Sequence, residues 1–93
     1  MDMKEEDIVK VAKALSNKTR VRILREILKR KSITCHDAEK VDHLSQPTIS
    51  HHLKVLFEAG LLHAQKDGRF GIVTVNRNAL KSFGKLLSKE MKS

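Results

Sequence analysis

Between Ser45 and Gly60 the apolar positions recur at helical spacing, and at 100° per residue Ile49, Leu53 and Leu56 fall within one narrow stripe. The stretch predicts a helix with both ends written locally. Ser45 is placed to accept a hydrogen bond from the first turn, Pro47 needs no donor there, and Gly60 permits a left-handed stop. Upstream, Ile8, Val11, Ala12 and Leu15 predict a first helix over about 4–15, with acids in its first turn where the helix dipole favours them. Ser16-Asn17 interrupts it, and Asn17 caps a second helix from Lys18 to about Arg30. There Val21, Leu24 and Leu28, with Ile23 and Ile27 alongside, make a stripe broad enough for a central, well-buried helix. Ser32-Ile33 reads as an extended link. Thr34 caps a short helix to about Val41, with Glu39 near its first turn and Ala38 and Val41 inward. Asp42-His43-Leu44 then leads tightly into Ser45.

After Gly60 the period shortens toward two. Residues Leu61–Lys66 and Phe70–Val75 predict two strands joined by a hairpin turn at Asp67-Gly68-Arg69, with Gly71 marking a bulge. A last amphipathic helix runs from Asn78 to about Met91, with Leu80, Phe83, Leu87 and Met91 on one side. Two short helices joined by a few residues (about 34–60) and a following hairpin (about 62–75) define a winged helix-turn-helix. The expected fold is mainly α with a β-hairpin wing, five helices with the hairpin between the fourth and fifth, in one domain over 1–93. Packing the terminal helices (about 4–15 and 78–91) together in one subunit would leave apolar surface from both exposed. That surplus predicts a second subunit, with Ile8, Val11, Leu15, Leu80, Phe83 and Leu87 as its contacts; intramolecular packing of both helices is the alternative.

Charge narrows the partner. Nineteen Lys and Arg against eleven Asp and Glu give a formal +8 over 93 residues, which favours a polyanion because cations on phosphates release condensed counterions. The chain has no Trp, no Tyr and only three Phe, so it lacks the stacking platform that single-stranded nucleic acid binding generally uses. Duplex is the expected partner. Arg20, Arg22, Arg25, Lys29, Arg30 and Lys31 line the polar side of the second helix, as a solvated face or as phosphate contacts. A single cysteine, Cys35, cannot form an internal disulfide, and the acidic Met1–Asp7 segment does not resemble a signal sequence. No apolar run approaches a membrane span. A cytoplasmic protein without a membrane partner is expected.

The outward face of the Ser45–Gly60 helix carries Ser50, His51, Lys54 and Glu58, with Gln46 and Thr48 flanking its first turn. Short or planar hydrogen-bonding groups of this kind can read base edges in a major groove that admits one helix. Lys66 and Arg69 put positive charge at the hairpin tip. An acidic or apolar face would instead mark a winged helix that binds protein, the main alternative. An enzyme is not expected, since Cys35 has no evident positioned base and no Gly-rich phosphate loop is present.

Over residues 12–76 the chain resembles the ArsR family of small dimeric bacterial winged-helix repressors. The resemblance is carried by Ala14-Leu15-Ser16-Asn17-Lys18-Thr19-Arg20-Val21-Arg22-Ile23-Leu24, by Leu44-Ser45-Gln46-Pro47-Thr48-Ile49-Ser50-His51-His52-Leu53-Lys54-Val55-Leu56, and by Ala59-Gly60-Leu61-Leu62 with Asp67-Gly68-Arg69. It implies a homodimer built through the terminal helices, with two reading helices in successive major grooves of a partly palindromic operator. At matching positions Gln46, Thr48, Ser50 and His51 would contact bases or nearby phosphates, and Arg69, helped by Lys66, the minor groove or backbone. His52 lies nearer the core edge, either structural or a phosphate contact. Repression would be relieved when an inducer or modification favours a non-binding conformation.

The family's metal residues do not carry over. Its paired cysteines correspond to Thr34 and His36, with Cys35 out of register, and Arg77–Ser93 has neither the Asp nor the His of the other common site. Neighbouring helical residues diverge by 100°, so Cys35, His36 and Asp37 cannot easily share one ion, and Cys35 is expected to be buried or spare. No metal and no cofactor is expected.

Overall fold

A computed structural model describes residues 3–67 and 70–92, with side chains except those of residues 66, 67, 70 and 89–92. The order is α1 (Glu5–Ala14), α2 (Lys18–Arg30), β1 (Ile33–Thr34), α3 (Cys35–Glu39), α4 (Gln46–Glu58), β2 (Leu62–Asp67), β3 (Phe70–Val75) and α5 (Arg77–Lys92). The expected helix-turn-helix and hairpin are both present.

Several boundaries follow from caps. Asn17 Oδ1 accepts from the Arg20 N–H at 3.1 Å, which starts α2 where its sequence places it. Thr34 starts α3 through a reciprocal pair: its hydroxyl accepts from the Asp37 N–H at 3.1 Å, and the Asp37 carboxylate accepts from the Thr34 N–H at 3.0 Å. The acid of the first turn is thus Asp37, and Glu39, expected near that turn, ends the helix. Ser45 begins α4 without a side-chain cap; its hydroxyl lies 3.0 Å from that of Thr48, which competes for the same groups. Gly60 stops α4 with φ at +78°.

The sheet has the order β1-β3-β2, all antiparallel. Ile33, expected only in an extended link, and Thr34, expected only as a cap, pair with Val73 and Ile72 and add a third strand. Pairing of β2 with β3 runs without interruption from Leu62↔Val75 to Asp67↔Phe70, so Gly71 sits in a regular ladder opposite Lys66 and marks no bulge. Asp67 belongs to the strand, and the expected turn residues Gly68 and Arg69 lie outside the described residues.

The core is one cluster. Ile23 and Ile27 of α2, Ile49 and Leu56 of α4, Leu61, and Val73 of β3 are almost fully buried, with Leu24, Leu53, Ile33 and Ala38 around them. In α1 Val11 and Ala14 face inward, while Ala12, placed on the apolar side by spacing alone, is exposed. Helix α4 packs against α1, α2, α3 and β2 and so is clamped on its apolar side. Helix α5 joins the core through its first turns: Ala79 is buried and Leu80 and Phe83 are half-buried, but Leu87 is 48% exposed. The molecule is accordingly elongated, 46 × 24 × 23 Å.

Candidate nucleic-acid interface

Clamping one side of α4 fixes what the other side presents. Ile49, Leu53 and Leu56 point into the core, and Gln46, Thr48, Ser50, His51 and Lys54 are all exposed. Thr48 shares its hydroxyl with Ser45, and the ring of His51 lies 5.9 Å from that of His52 between centroids. The side chains of Gln46, Ser50 and Lys54 make no hydrogen bond or ion pair with described residues. This face offers donors and acceptors that the protein itself does not satisfy.

Two carboxylates hold the turn and the small helix in front of it. Asp42, between α3 and α4, accepts from the Thr19 hydroxyl and from Arg22 Nη1, each at 2.8 Å. The Thr19 hydroxyl and the Arg22 guanidinium hold its carboxyl below the usual range. Asp37 lies 3.5 Å from Arg30 Nη2, and its pKa is lowered chiefly by the backbone N–H of Thr34. The cations of α2 are therefore not a uniform solvated face. Arg22, Arg25, Lys29 and Arg30 with Glu26 line a groove of about 600 Å³ against Asp37, Lys40 and Val41, and two of the four arginines and lysines are spent on bracing the helix-turn-helix.

His52 resolves toward a structural role: it is half-buried, and its Nδ1 lies 3.2 Å from Arg20 Nη1. Its pKa is lowered by burial first, then by Arg20 and His51. Cys35 is exposed at the start of α3. Among the described residues no three His, Cys, Asp or Glu side chains converge as metal ligands, and His36 is 3.4 Å from Glu39. Of the wing residues, Arg69 and the Lys66 side chain lie outside the described residues. Of the six proposed dimer contacts, Ile8, Leu15, Leu80 and Phe83 are half-buried and Leu87 is exposed, whereas Val11 is fully buried within its own subunit. No described helix is long and apolar enough to cross a membrane.

Asn76, which sequence reasoning passed over, joins the end of α4 to α5. Its Oδ1 accepts from the Ala79 N–H at 3.2 Å, and its Nδ2 donates to the Gly60 carbonyl at 2.9 Å. The helix starts at Arg77, one residue before the expected Asn78, and an Asn just ahead of the helical pattern was the available signal.

Comparison with known proteins agrees with this geometry. The family described as "Bacterial regulatory protein, arsR family" matches residues 17–64, from the cap of α2 to the start of β2. The transcriptional repressor SdpR of Bacillus subtilis is 36% identical over 70 residues, covering 75% of this chain and 77% of that protein. An ArsR-like transcriptional regulator from Rhodococcus sp. RHA1 superposes with a TM-score of 0.82 at 26% identity, covering 94% of this chain and 81% of that one. A homodimeric winged helix-turn-helix DNA-binding domain from Mycobacterium bovis shares the fold with a TM-score of 0.73 at 20% identity, over 94% of this chain and 81% of that one. The chain belongs to the arsR family of bacterial regulatory proteins and is a winged helix-turn-helix regulator of transcription.

Proposed function

We propose that residues 1–93 act as one domain, a cytoplasmic homodimeric repressor that binds a partly palindromic operator in duplex DNA. Gln46, Thr48, Ser50 and His51 read bases or adjacent phosphates, Lys54 contacts the backbone, and Lys66 and Arg69 of the wing approach the minor groove or flanking phosphates. Helices α1 and α5 form the dimer through Ile8, Leu15, Leu80, Phe83 and Leu87, with Val11 supporting them from inside its own subunit. The observation that carries this reading is the two-sided character of α4: one face buried, the other exposed, with Gln46, Ser50 and Lys54 making no hydrogen bond or ion pair with described residues. The names of the repressor and of the homodimeric domain described above support the direction of control and the assembly.

The test is selection of duplexes from a random library, followed by titration of the selected and scrambled sequences at several salt concentrations. Affinity for both should fall steeply with salt, since phosphate neutralisation carries much of it. Ser50→Ala and His51→Ala should reduce discrimination by about 1–3 kcal/mol where a good base contact is lost, while Arg69→Ala weakens both duplexes more evenly. An affinity indifferent to salt, or equal losses for all three variants on both duplexes, refutes the assignment.

A further inference from the structure

Arg20, in the first turn of α2, connects two other helices through its fork. Its Nε donates to the Ala14 carbonyl at 2.8 Å and Nη2 donates to the Lys13 carbonyl at 3.1 Å, so a positive group closes the negative end of α1. Its Nη1 meets His52 Nδ1 of α4 at 3.2 Å. A guanidinium has only donors, so Nδ1 must present its lone pair, and the ring is neutral with its proton on Nε2. We propose that Arg20 is a positioning residue that seats the reading helix against the end of α1 only while His52 is neutral, so that acid uncouples base reading from the dimerising helix. This rests on the reading of α4 as the base-contacting element.

Protonation replaces the acceptor with an N–H aimed at another N–H and sets two cations 3.2 Å apart. The charged and titratable groups facing the ring are Arg20 from α2, His51 from α4 and Asp42 from the turn before α4. Only Asp42 favours the imidazolium, and its oxygens are already engaged by Thr19 and Arg22. The contact is therefore intact above the ordinary histidine value of 6.5 and is lost as pH falls through the lower, folded value. Affinity for any duplex also carries a phosphate-neutralising part that does not depend on this contact. Discrimination, and not affinity alone, is the quantity that isolates His52.

The experiment measures binding by fluorescence anisotropy from pH 7.5 to 4.5, using a duplex selected by the wild-type protein from a random library at pH 7.5 and a scrambled duplex. Over that range the wild-type ratio of selected to scrambled affinity should fall toward a limit of about tenfold, the effect of one unit of pKa difference between the non-specific and the specific complex. His52→Asn carries an amide oxygen close to the place of Nδ1 and cannot titrate, so it should keep its pH 7.5 ratio within about threefold. Nitrogen NMR of wild-type imidazoles should show the Nε2–H tautomer at His52, and Arg20→Gln should raise the midpoint of that ring. A His52→Asn profile that follows the wild type, or an Nδ1–H tautomer, overturns the proposal. If His52→Asn does not fold, the tautomer and the Arg20→Gln midpoint decide alone. Failure to select any duplex refutes the DNA reading itself, and the coupling with it, whereas selection followed by a flat wild-type ratio refutes the coupling only.

Discussion

Asn76→Ala separates the end of α4 from the start of α5 without touching the core. The substitution removes the acceptor for the Ala79 N–H, a cap worth about 1 kcal/mol within a range of roughly 0.5–2. It also removes the donor to the Gly60 carbonyl, about 0.5–1.5 kcal/mol for an ordinary hydrogen bond and toward the lower end here, because that carbonyl is open to water. The bond from the Asn76 N–H to the Leu61 carbonyl at 2.8 Å survives in alanine. The total loss is therefore about 1–2.5 kcal/mol, and each kcal/mol lowers Tm by about 4–8 °C in a domain of this size. Asn76→Asp keeps an acceptor at the cap, now with a charge that suits the positive helix end, and loses only the donor. It should stay within about 1 kcal/mol of the wild type. Urea unfolding followed by circular dichroism measures both, at one fixed protein concentration because assembly shifts the midpoint. If alanine costs less than about 0.3 kcal/mol, below any reported cap, or if aspartate falls as far as alanine, the capping account is wrong.

Four further outcomes follow from burial, backbone, association and charge. Leu56→Ala, at a fully buried site of α4, should destabilise by about 2–5 kcal/mol in the same assay, whereas Lys31→Gly, at φ +74°, should stabilise by about 1 kcal/mol by removing left-handed strain. Leu87→Glu places a charge on a surface that is 48% exposed, and sedimentation should show it shifting the protein toward monomer while the monomer's circular dichroism is retained. Asp37, Asp42 and His52 all have depressed folded pKa values, so the stability each contributes is present above its unfolded value and lost on acidification. Melting temperatures should decline first below pH 6.5 and again below pH 3.8, and a Tm constant from pH 7 to 3 would contradict all three assignments.

The helices were legible in the sequence where a periodic stripe coincided with a local cap. Asn17 and the run from Val21 to Leu28 set α2 to the residue, and Gly60 set the end of α4. What escaped was set by partners distant in sequence. Two residues cannot display an alternation, so Ile33-Thr34 becomes a strand only because β3 lies beside it. The arginines of α2 look alike along the chain, yet Arg20, Arg22 and Arg30 are distinguished by Ala14, Asp42 and Asp37. The outward set of α4 was readable because a helix with one apolar stripe has only one other side. Whether His52 belonged to that set depended on Arg20, 32 positions earlier.

The short strand β1 has a mechanical consequence. By pairing the approach to α3 with Ile72 and Val73, midway along the hairpin's inner strand, it ties the described part of the hairpin to the helix-turn-helix. In the proposed complex the two would meet DNA as one caliper, so a duplex that does not match its aperture would have to flex, and part of the sequence preference would fall to base steps that bend cheaply without being touched.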